Sequence, residues 1–327
     1  MMPSTPAFWA ADSRSAWPGL LAPVAALYGL GSRLKRIATA PQKISIPVVS
    51  VGNLVAGGAG KTPAALALAA RLQALGHRPY FVSRGYGGRL RGPEQVDPRR
   101  HIAADVGDEP LLLAQAAPTW IGRDRPAAAR AAVSAGASCI LADDAHQTYS
   151  LARTLSMLVV DGGYGFGNRR LLPAGPLREP IADGLARTDA IILIGTARTS
   201  LPDFGTRPVF RAELRPDAED AARLYRRRVL AFAGIARPEK FFDSLRQIDA
   251  EIVETKSFPD HAAYQPDMIM RLVERAHALN AVPVTTTKDL ARFPVEARKM
   301  VECLRVALRF ADPAAMDAFF AERLSRG

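Results

Sequence analysis

The stretch Ile46-Pro-Val-Val-Ser-Val-Gly-Asn-Leu-Val-Ala-Gly-Gly-Ala-Gly-Lys-Thr-Pro63 decides how the rest of the chain is read. Its apolar start, Ile46 to Val51, predicts a buried strand. A glycine-rich loop follows, with Gly57, Gly58 and Gly60, and Lys61-Thr62 then opens an Ala/Leu-rich segment that predicts a helix. Strand, flexible loop, Lys-Thr and helix form a phosphate cradle, because glycines let backbone N–H groups converge on phosphate oxygens at a helix N-terminus. The cradle is expected over Val55, Ala56, Gly57, Gly58, Ala59, Gly60, Lys61 and Thr62. Lys61 would reach the outer phosphates of ATP and the Thr62 hydroxyl would meet Mg²⁺. The strict motif asks for glycine at position 55, where this chain has Val55.

Outward from this stretch, short apolar runs alternate with helical ones. Strands are expected at 79–83, 119–121, 138–142, 155–160 and 189–194, and helices at 64–76 and 126–135. This alternation predicts an α/β fold: a P-loop kinase-like parallel sheet with helices on both faces. Glycine and polar residues gather just after the strands, the edge where open α/β sheets bind ligands. A second, smaller α/β lobe is expected over 225–327, with strands at 229–233, 251–254 and 282–286. The mixed, proline-bearing segment 196–224 reads as a connector, in the form of a β linker. The nucleotide lobe is then 37–195.

With 327 residues, 48% of them hydrophobic, the chain is long enough for one large or two medium domains. Two distant cysteines, Cys139 and Cys303, fit reduced thiols and not a disulfide scaffold, and the five histidines lack metal-ligand spacing. The net charge of +11, mostly from arginine, suits an acidic or phosphorylated partner. Basic and aromatic residues do not interleave, so nucleic acid is not expected. Residues 15–32 carry no charge and precede Arg33, Lys35 and Arg36. Two prolines and three glycines in that run argue against a transmembrane helix. Residues 1–36 are therefore expected to lie in the interface of an anionic membrane.

Phosphoryl transfer needs a metal, charge neutralisation and a positioned hydroxyl. Asp143 and Asp144 end an expected strand, as a metal-holding acid does. Asp108 precedes Pro110 and reads either as a helix cap or as a carboxylate that accepts a proton. Arg84, Arg123, Arg125 and Arg178 sit in loops marked by glycine or proline, where guanidinium groups can hold phosphates.

Taken in order, several segments resemble the tetraacyldisaccharide 4'-kinase (lipid A 4'-kinase) family. They are Gly52-Asn-Leu with Gly57-Gly58-Ala-Gly-Lys-Thr-Pro63, Ser83-Arg-Gly-Tyr-Gly-Gly88, Gly107-Asp-Glu-Pro-Leu111, Gly122-Arg-Asp-Arg125, Asp143-Asp144 with Gln147, Gly165-Phe-Gly-Asn168, the 171–180 segment ending in Arg178-Glu179-Pro180, Ala231-Phe-Ala-Gly-Ile235, Phe258-Pro-Asp-His261 and Thr286-Thr-Lys-Asp289. The resemblance spans about Phe8 to Phe310. It implies transfer of the ATP γ-phosphate, with Mg²⁺, to the 4'-hydroxyl of a tetraacylated glucosamine disaccharide 1-phosphate in lipid A biosynthesis. It implies work at the cytoplasmic face of the bacterial inner membrane; a monomer is expected. By the same resemblance Asp108 is the base with His261 as its orienting partner, and Lys61 is catalytic. Thr62, Asp143, Asp144 and Gln147 serve the metal. Arg84, Tyr86, Arg123, Arg178 and Glu179 serve the substrate.

One segment departs from the pattern. The family reads Asp-Asp-Gly-Phe/Leu-Gln-His over 143–148, and this chain reads Asp-Asp-Ala-His-Gln-Thr. Alanine takes a positive φ only at a cost, so the loop is expected to rearrange if that conformation is needed, which would make a weakened or specialised kinase. The rival from another class is a membrane-associated ATPase switch. Its signature lysine would stand at position 56, which is Ala56.

Overall fold

The computed structural model describes residues 6–324. Its strands are β1 (Val48–Gly52), β2 (Pro79–Ser83), β3 (Glu94–Gln95), β4 (Thr119–Ile121), β5 (Cys139–Asp143), β6 (Leu155–Asp161), β7 (Ala190–Ile194), β8 (Val209–Pro216), β9 (Arg228–Ala233), β10 (Glu251–Ser257), β11 (Val282–Thr286), β12 (Glu302–Leu304) and β13 (Val306–Phe310). The large sheet runs β13-β8-β7-β6-β1-β5-β2-β4-β3 and the small one β10-β9-β11-β12. The small sheet is parallel throughout. The large one is parallel except at its two edges, where β13 meets β8 and β3 meets β4.

The central strands are apolar on both faces because both faces are covered. Every position of β1, β5 and β6 is buried. Val49 and Val51 face Leu68 and Leu72 of the helix Lys61–Ala74. Val48, Ile140 and Ala142 point the other way, onto Ala128, Ala129 and Ala132 of the helix Arg125–Ser134. That second helix starts where Asp124 accepts the Ala127 N–H at 3.0 Å, a side-chain N-cap. In register, Val51 sits beside Asp143. The chains leaving β1 and β5 therefore emerge together at one edge of the sheet.

The connector expected over 196–224 contributes β8, which pairs with β7 and extends the large sheet. Residues 306–324, expected in the second lobe, return to the first. β13 pairs antiparallel with β8, and Met316, Phe320 and Leu324 of the helix Pro313–Leu324 join the core that holds Val49 and Leu68. Their apolar stripe, worth roughly 1.5–3 kcal/mol per large side chain, is buried there. The second lobe thus comprises β9 to β12, with the helices Pro238–Gln247 and Pro266–Ala278 packed on its two faces. Both cysteines are free, Cys139 buried and Cys303 half-buried.

Near the N-terminus a helix spans Ala22–Ala38. Gly29 lets it approach the body closely, since a Cβ there would lie 2.7 Å from Leu171 Cδ1. Arg33 and Arg36 reach Asp183 at 3.4 and 3.3 Å. Its other face is apolar and open: Leu27 is 70% and Ile37 79% exposed, with Val24, Leu30 and Leu34 alongside. Among the described residues no helix is long and apolar enough to cross a membrane.

Candidate active site

The cradle forms where β1 runs into the helix Lys61–Ala74. Gly57 and Gly60 take φ of 102° and 86°, values open to glycine at little cost. Val55 has a structural reason to stand where the strict motif has glycine. It is buried beside Leu177 and Phe166 and bridges to Leu177. The Ala56 N–H donates to Pro176 O at 2.7 Å and the Arg178 N–H to Leu54 O at 2.8 Å. The 176–178 segment therefore braces the loop's first half and brings Arg178 to its side. Lys61 is 9% exposed, with Nζ 3.4 Å from Asn53 Oδ1 and 3.7 Å from Asp144 Oδ1.

Asp143 and Asp144 have opposite surroundings. Asp143 ends β5, is 1% exposed, and neither carboxylate oxygen has a hydrogen-bond partner among the described residues. Burial, with Glu109 and Asp144 adding to it, pushes its carboxyl above the usual range. Burial would raise Asp144 too, but Lys61 and Arg178 outweigh it and hold that carboxyl well below the ordinary value. Arg178 Nη1 donates to both Asp144 oxygens, at 2.9 and 3.0 Å. Behind the pair, Arg125 donates to the Asp144 carbonyl at 3.1 Å, and its buried Nη1 has no partner among the described residues.

A buried carboxylate with no donor is costly unless a cation meets it. Mg²⁺ is commonly held by one or two carboxylates and phosphate oxygens, so the residues present fit Mg²⁺ with ATP. Among the described residues no group of three or more His, Cys, Asp or Glu is arranged to hold a metal. Gln147, expected at the metal, has its amide engaged elsewhere. Nε2 donates to Asn53 O at 2.9 Å and Glu179 Oε1 at 2.8 Å, and Oε1 accepts from Arg178 at 3.4 Å. Glu179, expected at the substrate, is 2% exposed and also paired with Arg187.

The departure at 143–148 is absorbed without strain at alanine. The residue with positive φ is Asp144, at 43°, a type that tolerates the left-handed region. His146 turns inward. Its Nε2 lies 3.1 Å from Gly184 O and its Nδ1 3.5 Å from Ser156 Oγ. Gly52 makes room for it, since a Cβ there would lie 2.6 Å from His146 Cβ. Burial pushes the imidazole down to about 3, with Arg153 and Arg187 adding to the effect. His146 is thus a neutral core histidine that bolts the loop under β1.

Asp108 opens the short helix Asp108–Leu113, after Gly107 at φ 91°. It is the first helical residue, and Gly107 holds the cap position. The structure brings Asp108 to His261 across the two lobes, with Nδ1 and Oδ2 3.1 Å apart. Arg292 Nε donates to the same oxygen at 2.9 Å, and the Glu109 N–H donates to Oδ1 at 3.0 Å. Burial opposes the charge, but His261, Lys288 and Arg292 hold the carboxyl well below its usual range. Tyr86 meets the His261 ring edge-on, centroids 5.6 Å apart. Arg84 and Arg123 follow β2 and β4 at the same sheet edge and are exposed. Neither side chain makes a hydrogen bond or ion pair among the described residues.

Sequence reasoning did not assign the cations of the second lobe. Lys288 pairs with Glu109 at 2.9 Å, Lys240 with Asp161 at 2.5 Å, and Arg237 also binds Asp161. Arg237 stacks on Tyr164, 3.6 Å from the ring centroid. The loop before it touches the cradle, for a Cβ on Gly58 would lie 3.6 Å from Ala236 Cβ. The acids Asp108, Glu109 and Asp161 belong to the first lobe and their cations to the second. A sequence signal existed for part of this, since Lys288 lies in the Thr286-Thr-Lys-Asp289 motif.

The geometry of cradle, acids and inter-lobe pair suits one class of chemistry, transfer of a phosphoryl group from a nucleotide to a hydroxyl on a P-loop-type α/β scaffold. The model of the family described as tetraacyldisaccharide-1-P 4'-kinase matches residues 17–325. The tetraacyldisaccharide 4'-kinase of Rhodospirillum centenum is 51% identical over 98% of this chain and 96% of its own. That of Rhodospirillum rubrum is 48% identical over 98% of both, and that of Gluconacetobacter diazotrophicus 50% over 95% of both. The fold is shared with Aquifex aeolicus LpxK, from a crystal structure in complex with ATP, at a TM-score of 0.75 and 24% identity over 94% of this chain and 99% of the other. The chain belongs to the tetraacyldisaccharide-1-P 4'-kinase family.

Proposed function

We propose that the 55–62 cradle, the Asp108–His261 pair and the open face of the Ala22–Ala38 helix share the work of one lipid kinase. The chain is an ATP-dependent kinase of lipid A biosynthesis, acting on the 4'-hydroxyl of a tetraacylated glucosamine disaccharide 1-phosphate. The observation that carries the division of roles is the 3.1 Å contact of Asp108 with His261, made between the two lobes.

In this reading the loop amides and Lys61 hold the ATP phosphates, with Arg178 alongside. Thr62 and Asp143 hold Mg²⁺, which when bound neutralises charge on the phosphoryl oxygens. Asp144 keeps Lys61 and Arg178 in place, and Gln147 with Glu179 braces the cradle. Asp108 Oδ1 accepts the hydrogen of the acceptor hydroxyl and aims its oxygen at the γ-phosphorus, while His261 fixes Oδ2. Oriented attack counts for more than basicity here, because the transition state of phosphoryl transfer is loose. Arg84, Arg123 and Tyr86 line the open side and receive the sugar phosphate. The helix lies in the interface of an anionic membrane at the cytoplasmic face of the inner membrane, with Leu27, Leu34 and Ile37 in the acyl boundary. The working unit is a monomer.

Labelled ATP, Mg²⁺ and the tetraacyl disaccharide 1-phosphate in mixed micelles test this. Label on the lipid supports the reading. Label only in inorganic phosphate would make the chain a switch ATPase.

A further inference from the structure

Asp108 is held from outside its own lobe. Arg292 lies just beyond the 4-residue helix Thr287–Leu290 that follows β11. Its side chain is 6% exposed. Nε donates to Asp108 Oδ2 at 2.9 Å, and Nη1 donates to Gly234 O at 2.9 Å and to Asp289 Oδ1 at 3.3 Å. Asp289 is fully buried and fixed in turn by the Gly234 N–H at 2.9 Å, the Tyr264 hydroxyl at 2.8 Å and the Thr286 hydroxyl at 2.5 Å. The guanidinium therefore projects from the ends of β9 and β11 as a rigid fork. Oδ2 of Asp108 receives both Arg292 and His261, whereas Oδ1 takes one hydrogen bond among the described residues, from the Glu109 N–H. An anionic carboxylate oxygen accepts two, so Oδ1 keeps a lone pair for a hydroxyl.

We propose that Arg292 is a positioning residue for phosphoryl transfer: it locks the rotation of the Asp108 carboxylate so that Oδ1 faces the acceptor hydroxyl, and it does so only when the second lobe is docked. This rests on Asp108 being the group that meets the acceptor. Alignment of reacting groups is sensitive to shifts of about 1 Å, which can cost about 100-fold in rate. The groups that face Asp108 are His261, Arg292, Lys288 and its own neighbour Glu109, with Tyr86 and Asp260 behind His261. Of these, Arg292 alone joins Asp108 directly to the buried Asp289 network.

The experiment compares Arg292→Met, Arg292→Lys and Asp108→Asn in the full-length enzyme, reading kcat, KM for ATP, the pH profile of kcat and the thermal midpoint. Arg292→Met is expected to lower kcat about 100-fold, with KM for ATP within about two-fold. The acid limb of its profile moves to higher pH, because a cation that favours the charged carboxylate is gone. Arg292→Lys keeps the charge but cannot bridge three acceptors in one plane. It restores the acid limb and recovers only part of kcat. Wild-type kcat and acid limb in Arg292→Met, even with a lowered thermal midpoint, would show a structural residue and overturn the proposal. If Arg292→Met does not fold, Arg292→Lys decides: a kcat loss of at least about ten-fold at unchanged KM for ATP supports the role, and wild-type kcat overturns it. Asp108→Asn separates the two levels. Full activity in it removes the reading of Asp108 itself, whereas an inactive Asp108→Asn beside an unaffected Arg292→Met removes Arg292 alone.

Discussion

Asp143 and Asp144 are adjacent in the chain, yet Asp144 lies within 4 Å of both Lys61 and Arg178 while both oxygens of Asp143 are buried without a partner among the described residues. One acid is paired with the cations of the cradle, and the other is the acid proposed to meet Mg²⁺. Asp143→Asn should therefore lower turnover by at least about 100-fold. It should leave the thermal midpoint unchanged or higher, since a buried unpaired carboxylate is a cost to the fold. Turnover and melting of the same preparation check this. A lower midpoint with full turnover would give Asp143 a structural role.

Asp108→Ala should keep ATP binding and lose roughly two to four orders of magnitude in turnover, as for a lost acid–base group. Titration of ATP against the variant, beside the label-transfer rate, separates the two effects. Near-full turnover would take Asp108 out of the reaction.

His146 sets a pH dependence of stability. Its folded value, about 3, lies below the unfolded value of about 6.5. The unfolded chain then binds the proton more readily, and stability falls as pH drops below about 6.5, by up to about 1.4 kcal/mol per pH unit until the folded value is reached. In His146→Gln that part of the slope should vanish. Urea unfolding of both proteins between pH 7 and 5 reads the difference, and parallel slopes would contradict the buried neutral imidazole.

The exposed face of the Ala22–Ala38 helix predicts membrane affinity without a role in folding. Leu27→Ser with Leu34→Ser removes two side chains that are 70% and 58% exposed. Co-sedimentation with anionic vesicles should weaken at least about ten-fold if each leucine contributes about 1 kcal/mol or more of buried area, with the melting curve unchanged. Equal sedimentation would mean that another surface meets the membrane.

Much of this site was legible because it lies in short segments with local chemical meaning. The strand, glycines and Lys61-Thr62 follow one another in the chain and read as a cradle from local sequence, and Asp143-Asp144 at the end of an apolar run reads as an acid pair at the same sheet edge. The inward turn of His146 was not legible, since its reason is space above Gly52 supplied by a strand far away in sequence. Arg292 gave no signal, because an arginine three residues after Asp289 looks like any solvated charge until β9 and β11 are side by side. The return of residues 306–324 to the first lobe was hidden for a similar reason. An apolar stripe such as Met316, Phe320 and Leu324 shows that a helix is buried, and does not show against which sheet.

Product mapping reads the site of phosphorylation most directly. The enzyme, Mg²⁺ and ATP are incubated with the tetraacyl disaccharide 1-phosphate, and the purified product is read by phosphorus–proton correlation NMR. One new phosphate is expected, coupled to the proton at C4' of the distal glucosamine and absent when Lys61→Ala replaces the wild type. A new phosphate on any other position, or none while ATP is consumed, would contradict it.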